Sequence, residues 1–241
     1  MDRVIKDYMP SNHGITKKFL YESNDWDIIE LNYSIDINAL QDWFKTLETD
    51  FSYLKYDFNK MHNLLNLELS KQMVEQGYCG YYCGPIYGYT LAWPIERYEP
   101  LPPPVQANLD LFPEVNLDTF NTDAKILSKV RFGYFDYLVN DLGEDVFRQL
   151  VVTNHLPKMY IRQHIDSKVL KLHIPIFTDE NAVFHFGKNK ERNYHMKAGK
   201  AYILNPGDWH GTENNSNVTR SHIITRIAEE KVLELIEKTN A

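Results

Sequence analysis

The stretch IRQHIDSKVLKLHIPIF, residues 161–177, combines the pattern of two short strands with several polar side chains. His164 stands two residues before Asp166, and His173 lies in a run that is otherwise mostly aliphatic. Side chains on a strand alternate between two faces, so residues i and i+2 project to the same side. On a strand, His164 and Asp166 would therefore reach one metal ion together.

The His-x-Asp pair is weak support for a metal site when taken alone. The 241 residues include nine histidines and 33 acidic residues, and at that composition about one such pair is expected by chance. A hydrogen-bonded pair at a strand edge is then the commoner interpretation. Two later residues change this balance: His210 follows the turn-rich sequence NPGD, and Arg220 comes ten residues after it.

The four residues together suggest a particular kind of metal site. Two histidines and one carboxylate on one face form the facial triad typical of non-haem Fe(II) oxygenases, which leaves coordination positions open. A buried arginine on the following strand would provide a planar fork for the carboxylate of a dicarboxylic cosubstrate. The triad requires a fold that brings His210 alongside His164.

The pattern of the chain from about residue 147 predicts such a fold. Short β-branched or aromatic runs are separated by turn residues: FRQLVVTNHLPKMYIRQHID, KLHIPIF, AVFHFG, NYHMKAG, KAYILNPGDWH and RSHIITRI. Closely spaced strands of this kind predict an antiparallel β-barrel or jelly roll. Apolar residues at helical spacing predict helices over 38–76 and about 122–142, and AEEKVLELIEK predicts a short amphipathic helix near the C-terminus. The predicted class is mainly β with a helical N-terminal part.

The segment from about 147 to 227 resembles the double-stranded β-helix core, a jelly-roll or cupin-like fold, of Fe(II)/2-oxoglutarate-dependent oxygenases. Within them it is most similar to the aspartyl/asparaginyl β-hydroxylase-like group, which includes bacterial proline hydroxylases. The matching pieces are HID, KLHIPIF, YHMKAGKAYILN and WHGTENNSNVTRSHII. They cover about a third of the chain, and the resemblance does not extend to residues 1 to about 120.

The resemblance implies roles for individual residues. His164, Asp166 and His210 would hold Fe(2+) and form the catalytic centre, while Arg220 would bind the far carboxylate of 2-oxoglutarate. His173 and His222 are further candidates for contacts with this cosubstrate. The implied reaction uses O2 to hydroxylate an amino acid or a peptidyl side chain of Asp, Asn or Pro type, with succinate and CO2 as co-products. His185 and His195 are expected to have structural roles.

These features predict one domain over 1–241. Residues 1–120 would form a helical or irregular support region, 121–227 the oxygenase core and 228–241 the C-terminal helix. The composition adds limits on partners: the formal net charge of −7 disfavours a nucleic-acid binder. No apolar run reaches the roughly 20 residues that span a bilayer.

The expected compartment is the cytoplasm, because the N-terminus has no apolar stretch of signal-peptide type. Cys79 and Cys83 provide no disulfide framework, although their C-x3-C spacing leaves a metal pair as a minor alternative. The expected partner is a small amino acid or a peptidyl substrate.

Two alternatives remain at this stage. A different metal-dependent cupin enzyme would share the His-x-Asp pair and the distal histidine but would not need Arg220. A non-enzymatic jelly-roll binding module would need none of these residues for turnover. Fold alone does not decide between them, since one fold hosts many functions.

Overall fold

The structure is a computed structural model that describes residues 3–5, 16–23, 25–51, 55–57, 86–90, 126, 128–166 and 170–239. The described α-helices are α1 (Lys17–Glu22), α2 (Ile37–Asp50), α3 (Gly133–Leu142) and α4 (Val232–Thr239). The described strands are β1 (Val4–Ile5), β2 (Ile28–Glu30), β3 (Lys55–Asp57), β4 (Ile86–Thr90), β5 (Arg148–His155), β6 (Tyr160–His164), β7 (Lys171–Phe177), β8 (Ala182–Phe186), β9 (Arg192–Tyr194), β10 (Tyr202–Leu204), β11 (His210–Asn214) and β12 (Arg220–Arg226). Short 3-10 turns occur at Ser128–Val130, Glu144–Val146 and Glu229–Lys231.

The strands form two sheets. The large sheet has the order β1-β2-β10-β7-β12-β5-β4-β3, and the small sheet has the order β6-β11-β8-β9. From β5 to β12 the chain passes repeatedly between the two sheets, and the pairs that these eight strands form with one another are antiparallel. At the edge of the large sheet, β1 pairs with β2 in parallel. The core four strands of the large sheet, β10-β7-β12-β5, thus face the four strands of the small sheet. This is the double-stranded β-helix arrangement, and the predicted fold class is confirmed.

The large sheet is covered on both faces, and β7 illustrates how. Leu172, Ile174 and Ile176 are fully buried in the main hydrophobic cluster together with residues of α2 and α3. His173 projects to the opposite face, where its ring lies 5.3 Å from the ring of Phe184 on the small sheet. The period-two alternation of a strand therefore separates an apolar outer face under the helices from an inner face that lines the space between the sheets.

The helix α2 fastens the helical layer to the sheet. The Asp36 carboxylate caps its N-terminus by accepting a hydrogen bond from the Ala39 N–H at 3.1 Å. Trp43 stacks on Phe135 of α3, with ring centroids 4.4 Å apart. Its indole N–H donates to the Val130 carbonyl at 3.1 Å, which satisfies a polar group inside an apolar cluster.

The helix prediction for 38–76 is confirmed in its first part and wrong in its middle. Helix α2 covers the first apolar run, but Lys55–Asp57 is a strand that pairs with β4. Long-range pairing with another strand decides the conformation there, and periodicity over neighbouring residues carries no signal for it. The second predicted helical run, from residue 58, lies outside the described residues, as do Cys79 and Cys83.

The helix predicted over about 122–142 is shorter in the structure. It begins at Gly133, and the chain before it forms a bridge at Ile126 and the 3-10 turn Ser128–Val130. The Val130 carbonyl accepts a hydrogen bond from Trp43, so a tertiary contact uses this segment before the helix begins. The predicted C-terminal helix is confirmed as α4, which buries Val232, Leu235 and Ile236. No helix among the described residues has the length and apolar character needed to cross a bilayer.

The outer face of β7 generates a stability prediction. Ile174→Ala removes a fully buried side chain between sheet and helices, so we expect the free energy of unfolding to fall by roughly 2–5 kcal/mol. Val218→Ala is the control, because Val218 is 48% exposed and such surface changes stay within about 0.5 kcal/mol. Urea denaturation of both variants measures the difference, and equal losses would contradict the assignment of Ile174 to the core.

Candidate metal centre and polar interior

Three predicted ligand residues meet where β6 ends and β11 begins. His164 and His210 are directly paired across these antiparallel strands, and their ring centroids are 4.3 Å apart. The Asp166 carboxylate lies 3.7 Å from His164 Nε2 and 3.9 Å from His210 Nε2. One ligand atom from each residue falls within 4.8 Å of the others, so the group could hold a metal ion.

Asp166 reaches this cluster in a different way from the one the sequence suggests. It lies two residues beyond the last residue of β6 rather than on the strand. Its backbone N–H donates to the Pro206 carbonyl at 3.0 Å, so the loop before β11 holds it. Strand alternation therefore does not account for the shared orientation of His164 and Asp166.

The surroundings keep His210 in the form that binds metals. Its Nδ1 lies 3.0 Å from the Asp208 carbonyl oxygen, and a proton on Nδ1 donated to that oxygen leaves Nε2 as the ligand atom. Burial, followed by repulsion from His164, lowers the pKa of His210 to about 4. The ring is therefore neutral near pH 7, as metal coordination requires.

Asp166 is held in its ionised form by a neighbouring cation. Burial acts to raise the pKa of this carboxyl group, but the ammonium group of Lys171 acts against burial, and the pKa lies below its ordinary value. Lys171 Nζ donates a hydrogen bond to Asp166 Oδ2. His210 and His164 lower the pKa further. Two imidazoles and a carboxylate form a donor set that suits Fe(II).

Arg220 is a buried cation on the inner face of β12. Arg220 is 4% exposed, and burial lowers the pKa of its guanidinium group to about 9. The guanidinium donates from Nη2 to His222 Nδ1 at 3.1 Å and lies 4.5 Å above the ring of Phe184. Among the described residues, no carboxylate forms an ion pair with it. Since a buried charge ordinarily has a counter-charge, the site is suited to an anion.

Three buried histidines surround this cation. Burial and then Arg220 lower the pKa of His173 and His222 well below the ordinary value, and the same two causes lower that of His155 to about 3. In the described part of the chain, no hydrogen-bond partner is found for His155 Nε2, His222 Nε2 or either ring nitrogen of His173. The predicted cosubstrate candidates His173 and His222 thus lie together with Arg220, at a site lined by neutral imidazoles.

The sequence did not predict His155 as a residue of this site. His155 is the cross-strand neighbour of Arg220 in the pairing of β12 with β5. The alternating pattern of VVTNH places His155 on one face of a strand, but the register that sets it opposite Arg220 depends on how the two strands pair. His185 and His195 lie elsewhere: their Nδ1 atoms contact Asn193 Oδ1 at 2.5 Å and the Ala182 carbonyl at 3.2 Å.

Thr212 lies between the His-Asp-His group of His164, Asp166 and His210 and the region of Arg220. Thr212 lies two residues after His210 on β11, a separation of about 7 Å along a strand. Its hydroxyl is 3.5 Å from His155 Nδ1, and its backbone pairs with Phe184, the residue beneath Arg220. Strand β11 therefore connects the ligand candidate His210 to Thr212, which contacts both His155 and the strand of Phe184.

No family model and no curated protein matches this chain. Among solved structures, a 2OG-Fe(II) oxygenase-family oxidoreductase from Burkholderia pseudomallei aligns with a TM-score of 0.41 and 10% identity, covering 83% of this chain and 95% of its own. A predicted oxalate decarboxylase from Thermotoga maritima has a TM-score of 0.29 and 19% identity, with coverages of 43% and 76%. A cupin domain from Bordetella pertussis has a TM-score of 0.29 and 14% identity, with coverages of 33% and 80%. These distant similarities do not assign a reaction.

The depressed pKa of His155 generates a pH prediction. The ring takes up a proton near pH 6.5 in the unfolded chain but near pH 3 in the folded protein, so unfolding is accompanied by proton uptake between these values. The free energy of unfolding should therefore fall as the pH drops below 6.5, with about 2 kcal/mol of the loss between about pH 7.5 and about pH 5 due to His155.

His155→Gln should remove that part of the pH dependence, as measured by urea denaturation at both pH values. Asn154→Ser is the control on the same strand. Because it removes no titrating group, it should change the free energy of unfolding equally at both pH values. An unchanged pH dependence in His155→Gln would show that His155 is not buried in its neutral form.

Proposed function

We propose that this protein is an Fe(II)- and 2-oxoglutarate-dependent oxygenase that hydroxylates an amino acid or a peptidyl side chain. The observation that carries the proposal is the pairing of a His-Asp-His cluster with a buried guanidinium that has no carboxylate partner among the described residues. The cluster supplies the donor set for iron. The guanidinium supplies the charge that a dicarboxylic cosubstrate needs.

Iron bound by His164, Asp166 and His210 would supply oxygen activation, with 2-oxoglutarate converted to succinate and CO2 as the substrate C–H bond is hydroxylated. The protein residues prepare this chemistry by geometry. His210 presents Nε2 because Asp208 engages Nδ1. Asp166 contributes a negative charge that offsets the charge of the metal, and Lys171 keeps it ionised.

Arg220 would bind the far carboxylate of the cosubstrate. Its planar fork matches a carboxylate, and burial excludes competing water, which strengthens the contact. The neutral rings of His155, His173 and His222 can donate or accept hydrogen bonds without adding a second buried charge. Phe184 supports the guanidinium from below. This division of roles distinguishes the oxygenase from a cupin enzyme that uses no keto acid, which has no requirement for a buried cation there.

Residues 1–120 would help to shape the substrate pocket, with a small amino acid or a peptidyl side chain as substrate and the cytoplasm as the expected compartment.

Anaerobic addition of Fe(II) and 2-oxoglutarate, followed by visible difference absorbance, tests the proposal. Wild-type protein should show the weak charge-transfer band of the chelate, and His210→Ala should abolish it. Arg220→Met should raise the dissociation constant for 2-oxoglutarate about 10- to 150-fold, because a charge-assisted hydrogen bond contributes roughly 1.5–3 kcal/mol. Metal affinity measured without 2-oxoglutarate should change little.

Arg226→Met is the matched control, since it makes the same substitution at the other end of β12 on a half-buried side chain. Metal-free Arg220→Met should also unfold at a temperature no lower than wild type, because it replaces an uncompensated buried charge by an apolar side chain. A strong loss of stability with unchanged 2-oxoglutarate affinity would make Arg220 a structural residue. Metal binding without a keto-acid band would favour another cupin enzyme, and no metal binding would favour a binding module.

A further inference from the structure

Asp27 is a fully buried carboxylate outside the eight strands of the double-stranded β-helix. Its exposure is 0%, and it accepts hydrogen bonds from Arg3 Nε at 3.1 Å, Arg192 Nε at 2.6 Å, Arg192 Nη2 at 3.2 Å and the Tyr194 hydroxyl at 3.1 Å. A buried carboxylate is tolerated when its oxygens are paired in this way. The residue therefore fixes the guanidinium of Arg192 at the start of β9.

Arg192 in turn binds the loop that precedes the metal ligand. Its Nη2 lies 3.0 Å from Asp208 Oδ2, and Arg3 Nη2 lies 3.3 Å from the same oxygen. Asp208 Oδ1 accepts a hydrogen bond from the Trp209 N–H at 2.7 Å, and the Asp208 carbonyl oxygen faces His210 Nδ1 at 3.0 Å. All three oxygens of Asp208 are thus engaged, one of them by the metal ligand.

The rest of this loop is attached to the same N-terminal segment. The Asn205 N–H donates to the Asp27 carbonyl at 2.9 Å, and the Asn205 side-chain amide donates to the Trp26 carbonyl at 3.1 Å. Pro206, the next residue, accepts the Asp166 N–H at 3.0 Å. The loop 205–208 therefore contacts two of the three proposed ligand residues and is itself held by residues 26–27.

We propose that Arg192, fixed between Asp27 and Asp208, is a positioning residue that orients His210 for metal binding. The inference rests on the metal site of the proposed function, and it assigns a role to a residue outside that site. A ligating histidine is oriented by the group that accepts its other ring proton. Here that acceptor is a backbone carbonyl, so whatever holds the Asp208 peptide also sets the ring direction and the tautomer of His210.

Arg192→Gln tests this role while preserving the fold. Arg3 remains to pair with Asp27, so the buried carboxylate keeps a cationic partner. Titration with Co(II) alone, well below the unfolding temperature, should show affinity reduced about 10- to 100-fold, the range for loss of a partner that supports a ligand. The visible spectrum of the Co(II)-saturated variant should also differ from wild type, which a loss of stability alone would not produce.

Arg131→Gln is the control for the loss of an arginine with similar exposure. The Arg131 side chain is 24% exposed, compared with 25% for Arg192, and each arginine pairs with two carboxylates, Asp136 and Glu144 in the case of Arg131. This control should keep the wild-type Co(II) affinity and spectrum. A loss of affinity equal to that of Arg192→Gln would show a general effect of losing an ion pair, and would overturn the proposal.

A double-mutant cycle identifies the contact through which Arg192 acts. Asp208→Asn leaves the backbone carbonyl in place but removes the charge that Arg192 binds. If both act through one contact, the double variant should lose little more affinity than either single variant. Fully additive losses, or unchanged Co(II) affinity and spectrum in folded Arg192→Gln, would contradict the positioning role.

The use of Co(II) without 2-oxoglutarate separates the two proposals. Wild-type protein that binds Co(II) through His210 but shows no keto-acid band would fail as an oxygenase, and the Arg192 comparison would still decide the positioning role. Wild-type protein that binds no Co(II) would overturn both.

Discussion

The alternation of side chains across the large sheet is the constraint on which the rest of the structure depends. Alternate residues of β5, β7, β10 and β12 pack in the main hydrophobic cluster with α2 and α3. Because this outer face supplies much of the apolar burial, the inner face can carry polar side chains near the His-Asp-His group. It carries the buried side chains of His155, His173, Arg220 and His222. Among the described residues, no carboxylate pairs with Arg220, and no partner is found for several of the histidine ring nitrogens.

This polar interior has a thermodynamic cost that points to a ligand. A guanidinium without a carboxylate and ring nitrogens without partners each lower the stability of the folded protein. Such groups cluster at functional sites because their unmet interactions become favourable when a ligand arrives. The neutral state of the histidines matters as well, since Arg220 then carries the buried positive charge that an anion entering between the sheets at this end would meet.

The His-Asp-His group is assembled from parts of the chain that are far apart in sequence. His164 ends β6, Asp166 is held by the loop before β11, and His210 begins β11. That loop is fixed by Asp27 and Arg192, which belong to the N-terminal segment and to the opposite edge of the small sheet. The N-terminal segment is thus part of the support of the site, and it contributes β1 and β2 to the large sheet.

The sequence by itself determined the alternation of the strands and the class of the fold, and it predicted His164, Asp166, His210 and Arg220 as candidates for one site. These follow from residue type and spacing, which are local properties of the chain. The tertiary structure alone decided that Asp166 lies beyond its strand, that His155 stands opposite Arg220, and that Lys55–Asp57 is a strand within a predicted helix. It also decided the network from Asp27 to His210, because strand register and contacts between distant segments have no signature in neighbouring residues.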